Sequence, residues 1–236
     1  TAVALPLAPW LHRNVTQFDT LALTSQGGVH LDVWVLPSIF SITRGLTMVQ
    51  ALDEIYARRE AYFAGRGLVM DEMNIFVQSR VRTDFFLAQL SGMPPADILK
   101  SWGYGMAVNL FAPAIGADPR VRALSHPSFV GTSHLDPLSR ITLYIQEAPP
   151  LYLAVVAMGI IGAVLASLLQ IYGVVLLSRV SGWMVFLGLA GMLYFLLISG
   201  PITAPKYRLP FEPLLIILQA MALVELWPRL RRMAGK

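Results

Sequence analysis

Residues 151–177 read LYLAVVAMGIIGAVLASLLQIYGVVLL, 27 positions without one charged side chain. As a helix this run is about 40 Å long at 1.5 Å per residue, enough to cross a hydrocarbon core of about 30 Å with tilt to spare. Two more runs follow it. Residues 183–199 (WMVFLGLAGMLYFLLIS) are also uncharged, and residues 209–227 hold LLIILQAMALV between Glu212 and Glu225. All three are candidate transmembrane helices. Composition agrees: 56% of the 236 residues are hydrophobic and only 14% are charged, against roughly 25% charged in an ordinary soluble domain.

The flanks of these runs set an orientation. The tail PRLRRMAGK carries Arg229, Arg231, Arg232 and Lys236 directly after the last run, so the positive-inside rule predicts a cytoplasmic C-terminus. Alternation then predicts a cytoplasmic turn at Arg179 and an outer loop SGPITAPKYR, with the long region ending at Pro150 also outside. Charge is unevenly distributed. Residues 11–150 hold 11 Lys and Arg against 12 Asp and Glu, whereas the rest of the chain holds 7 against 2. The basic excess therefore flanks the apolar runs, and no basic stripe interleaved with aromatics points to nucleic acid.

At the N-terminus, TAVALPLAPW is apolar but spans only about 15 Å as a helix, half a membrane. It lacks the basic start and small-residue cleavage site of a signal peptide. It reads as the end of a truncated transmembrane helix that exits at Pro9–Trp10, the alternative being an interfacial or re-entrant segment. The expected organisation is mainly α and polytopic: a partial N-terminal span in residues 1–10, an outer helical and loop region in residues 11–150, and three transmembrane helices with a basic tail in residues 151–236.

Within the outer region, residues 47–64 show amphipathic spacing, with Thr47 and Gln50 in a capping-box pattern and Gly65 as a stop. A second helix is predicted from Asp71 to Leu90. A third is predicted from near Pro95 to before Pro113, and the Pro-, Gly- and Ser-rich residues 113–137 read as irregular.

No complete catalytic constellation is present. Cysteine is absent, and so are the glycine-rich phosphate loops, the HExxH zinc motif and the GxSxG elbow. His12, His30, His126 and His134 are scattered and predict no metal site. Asp53–Glu54 and Asp71–Glu72 read as carboxylates in the first turns of helices, where they meet the helix dipole, rather than as general acids or bases. Gln170, the strongly polar residue deep in the first full span, reads as an amide joining helices.

The segment PKYRLPFEP stands apart. Prolines stiffen it at the outer edge of the last run, and they hold Lys206, Tyr207 and Arg208 at the boundary of hydrocarbon. Two readings are open. Arg208 as a fork and Lys206 as a point charge form a phosphate site, or the three side chains anchor the helix among lipid headgroups. Glu212, one turn on, pairs with Arg208 or satisfies the helix N-terminus.

The stretch APWLHRNVTQFDTLALTSQGG at residues 8–28, with PKYRLPFEPLLIILQA near the end, resembles membrane glycosyltransferases of the GT-C fold. These are the relatives of protein O-mannosyltransferases and of the aminoarabinose transferase acting on lipid A. The shared pattern is a helix ending in Pro-Trp, then Arg-Asn and an outer strand-like stretch with a Gly pair. After an outer insert and three spans come an aromatic between basic residues, Leu-Pro, and a final helix. The resemblance implies an inner-membrane enzyme that takes a sugar from a polyprenyl-phosphate donor and passes it to an acceptor at the outer face. No cofactor is indicated beyond that lipid-linked donor. It implies that Lys206 and Arg208 bind the lipid phosphate, that Tyr207 and Glu212 support them, and that Arg13 and Asn14 stand at the outer mouth. The acidic base of such enzymes lies on a first outer loop that nothing here matches, so it is expected upstream of Thr1 and the chain alone is expected to be inactive. A different class also fits: a non-catalytic membrane protein whose outer helices bind a partner.

Overall fold

The computed structural model describes residues 4–125 and 136–234. Its regular structure is helical, with no strand among the described residues. The chain divides into two compact units, Thr1–Ser101 and Trp102–Lys236.

The N-terminal unit begins with α1 (Ala4–Phe18), which continues through Pro9 and Trp10 where the sequence predicts a helix end. Arg13 packs on this continued stretch. One helical turn from Trp10, its guanidinium lies 4.4 Å from the Trp10 ring and 5.6 Å from that of Phe18. The residues after α1 are not a strand; Asp19 takes a left-handed φ of 52° and turns the chain. Next come α2 (Gln26–His30), a π-helical turn (Leu31–Val35) and α3 (Leu36–Arg44), running on without a break. Then α4 (Met48–Ala64) departs at 118° to them. The Thr47–Gln50 capping box forms as the sequence predicts. The next helix starts later than predicted. Asp71 and Glu72 lie in a 3-10 turn (Met70–Glu72), and the Asn74 side chain caps α5 (Ile75–Ser91) by accepting from the Phe76 and Val77 amides.

By composition, α2–α3 and α4 together would pass as one bent membrane span. Their packing gives them another role. Leu36, Ile39, Phe40, Ile55 and Phe85 are completely buried, each burial contributing about 1.5–3 kcal/mol, so this pair forms the core of the unit. Asp32, also completely buried, holds the arrangement from the π turn. Its Oδ2 accepts from Arg59 on α4 at 3.0 Å and from Arg82 on α5 at 2.6 Å.

In the C-terminal unit, α6 (Pro95–Phe111), which straddles the boundary, ends where predicted. A 3-10 turn (Ala114–Ala117) and α7 (Pro119–Arg122) follow, and α8 (Pro137–Glu147) leads into α9 (Pro150–Val180). One residue, Ser181, separates α9 from α10 (Gly182–Ser199) and caps it by accepting from the Met184 amide. A 3-10 turn (Pro205–Arg208) precedes α11 (Glu212–Ala234), so the basic tail continues the last helix through Pro228. α9 and α10 are long and apolar enough to cross a membrane. In the most apolar 18 residues of each, only 6% and 11% are buried; apolar surface on that scale calls for a hydrocarbon surrounding. α11 packs along α9, where a Cβ on Gly173 would fall on the Leu218 carbonyl. Leu196, Phe211 and Leu215 form the buried cluster above that contact, with Met106, Leu110 and Met192 against them.

The Asp32 cluster is open to a direct test. Asp32→Ala leaves two largely buried guanidinium groups without their carboxylate, which should cost about 3–5 kcal/mol and be read as a lowered unfolding midpoint. Replacing the whole cluster, with Arg59→Met and Arg82→Met added, should recover most of that loss. A single variant as stable as the parent would show that the ion pairs contribute nothing.

Candidate functional site

The loop between α10 and α11 is built from α6. The Asn109 side chain, 3% exposed, reaches both sides of the loop. Its Nδ2 donates to the Ile202 carbonyl at 2.8 Å, and its Oδ1 accepts from the Ala204 amide at 3.0 Å. Two turns earlier Trp102 Nε1 donates to the Leu197 carbonyl at 3.2 Å. Between them Gly105 presses on the backbone of Gly200 and Pro201 so closely that a Cβ would overlap it, while Gly200 itself turns at φ 59°. The loop thus enters the Pro205–Arg208 turn from fixed points.

That turn separates the two cations paired in the sequence reading. Arg208, with a side chain 21% exposed, points back against the unit. Its Nε donates to Glu212 Oε2 at 2.7 Å, and its Nη1 lies 3.5 Å from the Leu110 carbonyl. Glu212 is therefore the partner of Arg208. Lys206 is exposed, with Nζ 5.2 Å from the centre of the half-buried Tyr207 ring, and it does not line the groove that Arg208 enters.

The groove holds about 280 Å³ and runs between α9, α11 and the end of α6. Arg208 and Glu212 sit in it beside Ser167, Gln170 and Gln219, and the small residues Gly159, Gly162, Ala163 and Ala166 of α9 leave the space. Ser167 is occupied, donating to the Ala163 carbonyl of its own helix at 2.8 Å. Gln170 and Gln219 are half-buried, and neither amide has a hydrogen bond among the described residues. Gln170 thus faces the groove without joining two helices. A second groove of about 330 Å³, lined by apolar residues such as Ile160, Val164 and Leu168, shares Phe111, Pro113, Ala163 and Ser167 with the first. Together they form a surface that is polar at one end and apolar at the other.

The remaining candidates lie elsewhere. Arg13 and Asn14 belong to the N-terminal unit. Asn14 is completely buried and donates from Nδ2 to the Ala22 carbonyl at 2.7 Å, closing the turn after α1. Asn14 Oδ1 and Arg13 Nε are buried without a hydrogen-bond partner. The four carboxylates read as helix-start residues divide. Asp53 and Glu54 fall in the second turn of α4, and Glu54 is an ion-pair residue that accepts from Arg44 and from Arg58. Burial raises its pKa, but the hydrogen bonds from Arg58 and Arg44 outweigh this and hold it below the usual carboxylate range. Asp71 and Glu72 lie in the 3-10 turn ahead of α5. His126 and His134 lie outside the described residues.

Sequence reasoning missed Asn109 and Gln219. Asn109 left a signal, a lone amide near the end of the apolar stretch WGYGMAVNLF. Gln219 left a similar one inside LLIILQAMALV, but neither shows its partner without the fold. Compared with protein families, with curated proteins and with solved structures, the chain has no match.

Asn109 should be needed for the loop to hold. Asn109→Ala strands a buried carbonyl and amide, at about 1–3 kcal/mol for each unsatisfied group, so the melting temperature in detergent should fall and the Pro201–Arg208 loop should become protease-sensitive. Unchanged melting and cleavage would show that Gly105 and Trp102 suffice.

Proposed function

We propose that the chain is the C-terminal portion of a GT-C-like membrane glycosyltransferase, with a polyprenyl-phosphate-linked sugar as donor. The observation that carries this reading is the joined pair of grooves. Arg208 stands in the polar part, where it meets a phosphate, and the apolar part suits a hydrocarbon chain. With Nε held by Glu212 and Nη1 by the Leu110 carbonyl, Arg208 is fixed in orientation and offers its remaining Nη donors to the phosphate. Because Arg208 and Glu212 neutralise each other, excess positive charge must come from Lys206, which swings in from its exposed position. As the bond from the sugar to the phosphate breaks, negative charge grows on the phosphate, so these contacts strengthen toward the transition state.

In the same reading α11 crosses the membrane alongside α9 and α10. This puts Lys206 and Arg208 at the outer face and the basic end of α11 in the cytoplasm. The absence of native cysteine makes this simple to check: Thr203→Cys should react with an impermeant thiol reagent added outside intact cells, and Ala234→Cys only after permeabilisation. The reverse pattern, or both on one side, would overturn the topology.

Turnover tests the phosphate role. In the full-length, detergent-purified protein, Arg208→Ala should lower kcat by about 10- to 150-fold, the equivalent of about 1.5–3 kcal/mol for a charge-assisted contact, with a smaller rise in donor KM. Arg208→Lys should recover only part, since the fork is lost. Turnover near the parent level in a folded Arg208→Ala protein would reduce these cations to headgroup anchors.

A further inference from the structure

We infer that α8 is an interfacial helix, lying in the outer headgroup layer of the membrane that α9 crosses and inserting one apolar edge into it. Leu138, Ile141 and Ile145 recur at intervals of three and four, which brings them onto one edge of α8. Their exposures are 76%, 49% and 57%. Ser139 and Glu147 lie on other sides of the helix and are exposed as well. Three large aliphatic side chains aligned on an 11-residue helix would be costly to leave in water.

The position of α8 in the chain identifies what covers them. Only Ala148 and Pro149, both in extended conformation, separate α8 from the first residue of α9. α9 has 31 residues and is about 46 Å long, which matches the 40–45 Å of a bilayer with its headgroup layers. With Arg179 in the inner headgroup layer, the first turn of α9 reaches the outer one, and Leu151 is 63% exposed there. α8 with its apolar edge thus lies only two residues of chain away from the helix that carries the lipid-facing surface. A specific contact keeps α8 at that level. The Tyr144 hydroxyl on α8 meets the Tyr152 hydroxyl in the first turn of α9 at 2.5 Å, with the rings 6.0 Å apart. Tyr152 and Ala148 are buried at this junction, at 8% and 6%. Tyrosine, with an apolar ring and a polar tip, is the side chain that favours the headgroup level.

The inference rests on α9 crossing the bilayer but not on phosphate binding at Arg208. Nitroxide labels carried singly on Ile141→Cys, Ser139→Cys and, on α9, Leu165→Cys would test it in the full chain reconstituted into phospholipid vesicles. Collisions with oxygen, which concentrates in hydrocarbon, are compared with collisions with a water-soluble nickel chelate. The label at 141 should favour oxygen, that at 139 the nickel chelate, and that at 165 oxygen most strongly. A label at 141 that meets nickel as readily as the one at 139 would overturn the inference. So would a label at 141 shielded from both reagents, which would mean that protein covers this edge. Nickel access at 165 would overturn the crossing by α9 and the inference with it.

Discussion

The close approach of α9 and α11 at Gly173 sets the geometry on which the C-terminal unit depends. With no side chain on Gly173, the Leu218 backbone meets α9 directly, and Leu215 and Leu218, at 3% exposure each, bury into the unit. Toward the N-terminal ends of these helices α9 stays small, through Ala166, Ala163, Gly162 and Gly159, but α11 gives way to Glu212 and the turn holding Arg208. Small residues therefore serve two purposes along one helix face. At Gly173 they bring backbones into contact, as is common where helices associate in membranes. At Gly162 they leave an open groove, while Gly159 takes the side chain of Ile115 against it.

Arginine is used differently in the two units. Asp32 and Glu54 each accept from two arginines, and these sets join α3 or the π turn to α4 and α5. Such arginines are committed to structure. Arg208 has a single carboxylate, Glu212, one turn away on the element it precedes; its Nη1 also meets the Leu110 carbonyl, and the side chain lines a groove. Its pairing fixes the direction of the side chain and leaves further donors free to act, the arrangement that fork recognition of an anion requires.

Legibility in the sequence followed the range of the interaction. α9 and α10 could be read because every residue of a long uncharged run gives the same message. α4 could be read because the Thr47–Gln50 box and Gly65 act locally. Local chemistry also misled: Pro9 predicts a helix end but lies inside α1, and Asp71–Glu72 predicts a helix start that Asn74 takes instead. Asp32, 27 and 50 residues from its arginines, looks in sequence like one charge in an apolar run. Of the predicted phosphate pair, adjacency suggested that Lys206 and Arg208 act together, whereas a tight 3-10 turn separates what its two ends face.

Gln170 and Gln219 give the groove its character. An amide in a membrane span is ordinarily explained by a bond to a neighbouring helix, because an unpaired one in hydrocarbon is costly. α9 and α11 are close enough to offer that bond, yet neither amide makes one among the described residues, and both line the groove with Arg208 and Glu212. Their donors and acceptors must then be satisfied from the groove itself, by water or by the polar part of a ligand. α9, long and apolar enough to cross a membrane, thus also lines a groove with polar side chains. The polar character of the groove comes from residues that the sequence alone presented as ordinary interruptions of two apolar runs.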